Sequence, residues 1–191
     1  MILRYLGSGF GGKLLMWPHS LLAGVATKQT GRPVKFVVSR KMMFQNVGYR
    51  PTTEQRVRLA ATQDGKLVSL RHEFLNHSAI GDEYAEDCGE STPSMYSTPN
   101  LRVTGGTVKR NVGSPTSMRG PGAVPGLFAL ESGMDELAIT LKMNPVELRI
   151  RNEPKVDESS GLPFSSGISS NACKPARRNS ANRSARPTSA R

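Results

Sequence analysis

A glycine-rich loop near the start of the chain, residues 7–13, constrains its fold more than any other feature. Four glycines surround one aromatic residue, Phe10. Because glycine has no Cβ and tolerates positive φ, such a loop lets the backbone lie against a large planar ligand while the ring shields one face. Amides at the N-terminus of a following helix also favour anions. The loop predicts a turn from strand to helix with room for a cofactor.

Two phosphate-binding motifs do not fit this first glycine loop. A Walker A loop needs Ser or Thr after the lysine, whereas Leu14 follows Lys13. The G-x-G-x-x-G spacing of a dinucleotide-binding fold is present, but residues 25–40 lack the acid expected about 20 positions later. A stand-alone nucleotide site is therefore disfavoured. On this motif alone, a tight turn without a ligand is an equal alternative.

Hydrophobic periodicity after the loop predicts helices and short strands in alternation. A helix with one buried face is predicted over residues 12–30, with a kink or late start at Pro18 and a stop at Gly31. A short strand over residues 34–39 and one or two helical turns over residues 40–47 follow.

Alternating residues 54–61 and 67–75, separated by an Asp-Gly turn, predict a β-hairpin. Residues 76–99 predict a long loop with one short helix, and residues 101–112 predict a third strand. The pattern as a whole predicts a mixed α/β fold.

Two helices are predicted near the end of this region. The first spans residues 126–141, and Asn144 is predicted to cap the second, with Pro145 at its first position and Glu147 at its third. Acidic residues of the first helix are assigned to a solvated face rather than to catalysis: Glu131, Asp135 and Glu136.

The net charge of +11 comes from 26 Lys and Arg against 15 Asp and Glu, and suggests an acidic partner such as nucleic acid. Much of this charge lies at the C-terminus, because no acid follows Glu158. The basic residues beyond it are Lys174, Arg177, Arg178, Arg183, Arg186 and Arg191. They predict a disordered basic tail, with a nucleic-acid-binding module as an alternative that the lack of interleaved aromatics weakens.

Cys88 and Cys173 form no C-x-x-C motif, so free thiols in a reducing compartment are expected rather than zinc or a disulfide. No apolar run is long enough to predict a membrane span. A strand beginning at Ile2 would need neighbours, so the chain is expected to lack an N-terminal portion.

Five motifs occur in an order that resembles one family. They are the first glycine loop, the G-R-P-V-K turn at Gly31, the Y-R-P segment at Tyr49, the R-G-P-G-x-x-P-G loop at Arg119, and paired D-E-L-A and N-P-V-E-L-R helices. In this combination the chain resembles the molybdenum-binding subunits of the xanthine dehydrogenase and aldehyde oxidase family. The likeness covers residues 1–166 and is nearest to bacterial periplasmic-type aldehyde oxidases.

The resemblance implies a partial molybdopterin-binding domain of a molybdenum hydroxylase, which hydroxylates an aldehyde or heteroaromatic carbon. The implied cofactor is molybdopterin, in bacteria usually molybdopterin cytosine dinucleotide. Its implied binding residues are Gly9, Phe10, Gly11, Gly12, Arg119 and Gly120. A planar polyanion suits main-chain amides and a guanidinium fork, and the alternative for Arg119 is a loop-bracing arginine.

The resemblance also implies iron–sulfur and FAD-binding partner subunits, no membrane, and a cytoplasmic location, with the periplasm left open through a partner's signal. The family's general base is expected beyond residue 191, so no catalytic residue or metal ligand is assigned here and the isolated chain is expected to be inactive. Purine substrates are disfavoured, because residues 84–90 carry acids where purine hydroxylases carry an arginine.

Three regions are predicted along the chain. Residues 1–154 form part of the first molybdopterin-binding domain, and residues 155–166 begin the connection to a second. Residues 167–191 are interpreted as an out-of-frame tail. Residues 168–180 can be encoded by the nucleotides of the family's next helix read one base out of frame. The hypothesis is therefore a truncated product whose tail has no function.

Overall fold

The computed structural model describes residues 9–12, 14–158 and 160–165. Five helices and three strands occur in them, and their order confirms the predicted mixed α/β class. In chain order they are α1 (Pro18–Thr30), α2 (Arg40–Asn46), β1 (Thr53–Ala61), β2 (Leu67–Ala79), α3 (Thr92–Met95), β3 (Leu101–Arg110), α4 (Ala123–Leu141) and α5 (Pro145–Arg151).

The strands form one sheet in the order β1-β2-β3. β1 and β2 are the predicted antiparallel hairpin, and Gly65 in its turn has a φ of 87°. β2 and β3 are parallel, so a crossover must connect them. Most of the polar segment predicted as a long loop with one short helix is this crossover, which contains α3, but its first four residues, 76–79, belong to β2.

Helix α4 packs its apolar stripe against the hairpin. The buried core consists of Leu67, Leu70, Tyr96, Leu130, Met134, Ala138 and Leu148. Partly buried side chains of β1, at every second position, extend this core. The apolar face of α4, which repeats every 3.6 residues, therefore packs against the apolar face of β1, which repeats every two residues.

Asn152 ties the hairpin turn to the end of α5. Its side chain is 2% exposed, and its Oδ1 accepts a hydrogen bond from the Leu67 amide at 2.8 Å. Its Nδ2 donates to the carbonyl oxygens of Gly65 and Leu148, both at 2.8 Å. The oxygen and both N–H groups of the side-chain amide are thereby hydrogen-bonded, so this buried polar side chain avoids a large desolvation cost.

His72 performs a similar role in the middle of the hairpin, opposite Val57. Its Nε2 donates to Gln55 Oε1 at 2.9 Å, and its Nδ1 accepts from the Thr92 hydroxyl at 2.8 Å. Gln55 in turn donates to the carbonyl oxygen of Pro125 at 3.0 Å. Burial lowers the pKa of His72 and so favours the neutral ring, only partly offset by the charge of Asp87.

Two predictions near the N-terminus were partly wrong. Helix α1 starts late at Pro18 and ends at Gly31, as predicted, but none of its side chains is buried. Leu21, Leu22 and Val25 are each more than half exposed. Residues 34–39 form no strand, because strand propensity is realised only against a neighbouring strand, and none in the described part of the chain pairs with them.

The predicted solvated face of α4 was wrong for Glu131. Its Oε1 accepts a hydrogen bond from the Tyr96 hydroxyl at 2.5 Å, and its Oε2 accepts from Arg149 Nε at 2.7 Å. Burial and this carboxylate raise the pKa of Tyr96 well above its usual range. Arg149 also pairs with Asp135 at 2.8 Å. These contacts join α4 to α5, and Asn144 caps α5 as predicted.

Some sequence predictions concern features outside the site or outside the described ranges. Cys88 is a free, buried thiol whose pKa is raised to about 11, mainly by burial. No helix in the described ranges combines the length and apolarity that crossing a membrane requires. The strand predicted at Ile2, Cys173 and the tail of residues 167–191 lie outside the described residues.

Replacing Asn152 should destabilise the fold. The variant Asn152→Ala removes the hydrogen bonds that Asn152 makes to the buried Leu67 amide and to two carbonyl groups, which should lower the free energy of unfolding by about 2–4 kcal/mol. Asn100→Ala is the matched control, because Asn100 also donates to a β2 carbonyl but is exposed. Urea unfolding of both variants checks this, and equal losses would contradict the assigned role.

Stability should fall as the pH falls below about 6.5, the ordinary pKa of histidine. The folded-state pKa of His72 lies below the unfolded one, so the unfolded chain binds more protons in this window. The slope from one such group is at most about 1.4 kcal/mol per pH unit. Unfolding measured from about pH 8 to about pH 5.5 should show a shallower slope in His72→Gln than in the wild type. An unchanged slope would assign the effect to another group.

Candidate cofactor site at two paired glycine loops

Residues 10–12 of the first glycine loop lie directly against residues 117–119, where the second glycine loop begins; we define this second loop as residues 118–125. The Gly12 amide donates to the Ser117 carbonyl at 2.9 Å, and the Arg119 amide donates to the Phe10 carbonyl at 3.1 Å. Gly11 and Met118 face each other in this short antiparallel bridge. The structure therefore brings together predicted site residues from two distant parts of the sequence.

The bridge requires glycine at position 11. Gly11 has a φ of 103°, and a Cβ there would lie 2.5 Å from both the Met118 Cα and the Ser117 carbonyl oxygen. Neither is a flexible side-chain end, so the backbone would have to shift. Trp17 also binds this loop, because its Nε1 donates a hydrogen bond to the Gly12 carbonyl at 2.5 Å.

Phe10 and Arg119 stand together at the exposed edge of the bridge. The guanidinium carbon of Arg119 lies 5.7 Å from the centre of the Phe10 ring, within the range of a cation–π contact. Phe10 has a φ of 46° and is 66% exposed, although an aromatic side chain favours burial and negative φ. Both the strained backbone and the exposed ring are features often retained at binding sites. Gly9 precedes them and is exposed.

The donors at this edge have no partner within the described ranges. There, no group accepts a hydrogen bond from the amides of Phe10, Gly11 or Gly120, and no carboxylate pairs with the Arg119 guanidinium. A planar anionic group could take up these donors while the Phe10 ring covers part of its face. The residues present therefore fit a molybdopterin.

Comparison with known proteins identifies the family. A family model described as a molybdopterin cofactor-binding domain matches residues 1–153. The chain belongs to this family. The molybdenum-binding subunit PaoC of the Escherichia coli K12 aldehyde oxidoreductase is 36% identical over 157 residues, which are 82% of this chain and 21% of PaoC. The predicted resemblance is confirmed.

Two further aldehyde oxidoreductases, from Megalodesulfovibrio gigas and Desulfovibrio desulfuricans, give the same result. That of Megalodesulfovibrio gigas is 34% identical over 156 residues, which cover 80% of this chain and 17% of the relative. The crystal structure of the Desulfovibrio desulfuricans enzyme matches with a TM-score of 0.74 at 27% identity, over 91% of this chain and 20% of that one. This molybdopterin-binding chain spans about a fifth of the length of the relatives that it matches.

Two residues important to this molybdopterin-binding domain were missed in the sequence. Arg50 Nη2 donates to the Arg119 carbonyl at 2.5 Å, and its Nη1 donates to the Gly120 carbonyl at 3.1 Å. Glu86 accepts a hydrogen bond from the Gly122 amide at 2.7 Å. The Y-R-P motif was noticed without a role for its arginine. Glu86 was noticed only as one of several acids, and no sequence signal separates it from the others.

The described residues offer no set of side chains that could coordinate the metal of such a cofactor. In the described ranges, no group of three or more His, Cys, Asp or Glu side chains is placed to hold a metal ion.

Alanine at position 11 should disrupt the loop pairing. Because Gly11→Ala adds a Cβ against backbone atoms at positive φ, we expect it to destabilise the chain by about 2 kcal/mol or more. Gly24→Ala is the control with the opposite sign, since it has open space in α1 and should stabilise by about 0.5–1 kcal/mol. Thermal unfolding followed by circular dichroism measures both. A Gly11→Ala variant as stable as the wild type would show that the bridge is not needed.

Proposed function

We propose that the paired glycine loops bind molybdopterin in an aldehyde-oxidising molybdenum enzyme. The observation that carries this proposal is the group of unpartnered donors at the bridge, in a domain of the molybdopterin-binding family. The proposed binding residues are those expected from the sequence: Gly9, Phe10, Gly11, Gly12, Arg119 and Gly120.

Four of these residues are given a direct contact with the ligand: Phe10, Gly11, Arg119 and Gly120. The amides of Gly11 and Gly120 donate to anionic groups, and the Arg119 guanidinium supplies a positive charge with a fixed fork of donors. The Phe10 ring covers a planar face and excludes water from it. Bound molybdopterin would supply the redox-active metal centre. The bridge hydrogen bonds hold Phe10 and Arg119 at a fixed separation, so both contact one ligand.

We extend the proposal to the larger assembly. The similarity to aldehyde oxidoreductases favours an aldehyde substrate, with a heteroaromatic carbon as the second class. Cytosine dinucleotide is the proposed form of the cofactor, iron–sulfur and FAD-binding subunits are the proposed electron carriers, and the cytoplasm is the proposed location. A purine is disfavoured, because the segment of residues 84–90 carries acids and its Glu86 is already bonded to the Gly122 amide.

The isolated chain should bind cofactor without turning over substrate, because it spans only about a fifth of the length of catalytic subunits such as PaoC. The wild-type chain, purified from a host that makes molybdopterin, should not reduce an artificial electron acceptor when an aldehyde is added. Aldehyde-dependent reduction above a preparation from the empty host would contradict this expectation.

Loss of Arg119 should lower cofactor retention. We expect Arg119→Ala to retain about tenfold less molybdopterin, because a charge-assisted contact is lost from the site. Arg102→Ala is the matched control, since Arg102 is an exposed arginine on β3. The measurement is the fluorescence of the oxidised pterin released from purified protein, with molybdenum measured by mass spectrometry. Equal pterin content in the two variants would overturn the assigned role of Arg119.

A further inference from the structure

A cluster of polar side chains around one buried carboxylate contacts the second glycine loop. It consists of Arg50, Tyr84 and Glu86, and we call it the Glu86 cluster. The Glu86 side chain is 1% exposed. Its Oε1 accepts a hydrogen bond from the Tyr84 hydroxyl at 2.5 Å, and Arg50 Nη1 lies 3.9 Å from its Oε2. Burial and Glu86 together raise the pKa of Tyr84 to about 12, so this hydroxyl remains a donor at neutral pH.

Every member of the cluster also contacts the second loop or the residue before it. Glu86 accepts a hydrogen bond from the amide of Gly122. Gly122 is the N-cap residue of α4, and it has no side chain that could cap the helix. Arg50 donates to two carbonyl groups of the loop, and the Tyr84 hydroxyl lies 3.1 Å from Ser117 Oγ. The carboxylate thus occupies the helix N-terminus, where a negative charge is favoured.

The cluster connects the loop to the sheet. Asn76, buried on β2, donates its Nδ2 to the Glu86 carbonyl at 2.5 Å. The backbone that follows Glu86 packs directly on the first turn of α4. A Cβ on Gly122 would lie 2.7 Å from the Asp87 carbonyl carbon, and a Cβ on Gly126 would lie 2.8 Å from that of Cys88. The position of Glu86 is therefore fixed independently of any cofactor.

The same contacts reach the first glycine loop. Ser117 and Arg119 contact the Glu86 cluster, and their backbone groups also form the bridge to Gly12 and Phe10. If residues 117–122 shifted, both bridge hydrogen bonds would change. Arg119 and Phe10 would then no longer face one ligand.

We infer that Glu86 is a positioning residue for cofactor binding. Through the Gly122 amide, Arg50 and Tyr84, it sets the register of the two glycine loops and hence the placement of Arg119, without itself touching the cofactor. This inference rests on the proposed function for its ligand, but its effect on the loops is independent of that ligand.

The chain contains a matched cluster that serves as a control. Like Glu86, Glu131 accepts from a tyrosine hydroxyl, that of Tyr96, and pairs with an arginine, here Arg149 through a direct hydrogen bond, but it connects α4 to α5. Removing the charge of Glu131 should weaken the fold without changing the glycine loops selectively. Comparing the two glutamates separates positioning from general stabilisation.

The first measurement is amide hydrogen exchange of the full chain as wild type, Glu86→Gln and Glu131→Gln. In Glu86→Gln, the amides of Gly12, Arg119 and Gly122 should exchange about tenfold faster or more, relative to the core amide of Leu70. In Glu131→Gln, the loop and core amides should change together. Glutamine is isosteric with glutamate, and Glu86→Asp provides a second variant that keeps the charge but shortens the reach.

The second measurement is the pterin content of the same variants. Selective loop exchange together with pterin loss in Glu86→Gln would confirm the inference. Unchanged loop exchange, or equal loop exchange in Glu131→Gln, would overturn it. Selective exchange with normal pterin content, when Arg119→Ala loses pterin, would also overturn it. Selective exchange while the wild type binds no pterin would refute the proposed function and leave the loop-positioning role of Glu86 confirmed.

Discussion

The packing of helix α4 against the β1–β2 hairpin is the contact on which the other described elements depend. Leu130 and Met134 on α4 are fully buried against it, so the direction of the helix is fixed by close packing. Its N-terminus continues from the second glycine loop, and Glu131 near its middle meets α5 through Arg149. One hydrophobic interface therefore sets the positions of both the candidate site and the far end of the fold.

Elements that the sequence predicted correctly are those specified by neighbouring residues. The hairpin follows from alternation around a glycine turn, and α5 follows from an asparagine cap and a proline at its first position. The predictions that were wrong concern features that depend on packing partners distant in the sequence. Residues 34–39 have strand-forming side chains without a strand beside them, and α1 has an apolar stripe over which no described element packs. Periodicity shows which side chains can be buried, but not whether anything covers them.

The candidate site divides in the same way. The residues proposed to contact the cofactor were predictable, because glycine-rich loops are visible as short motifs. The residues that hold those loops were not, since Arg50 and Glu86 approach each other only in the folded chain. A buried carboxylate and a surface carboxylate look alike in a sequence, and their difference comes from packing. Residues 167–191 lie outside the described residues, so the out-of-frame tail and the nucleic-acid alternative stay predictions.

The exposed side chains of α1 have a practical consequence. Among the described residues, Leu21, Leu22 and Val25 are each more than half exposed, and apolar surfaces of this kind promote association between molecules. A fold can be stable against denaturant and still precipitate, because unfolding and self-association are separate equilibria. The exposed face of α1 therefore predicts self-association of this chain at high concentration, whatever its free energy of unfolding. A preparation of this chain therefore has to control the protein concentration as carefully as the folded fraction.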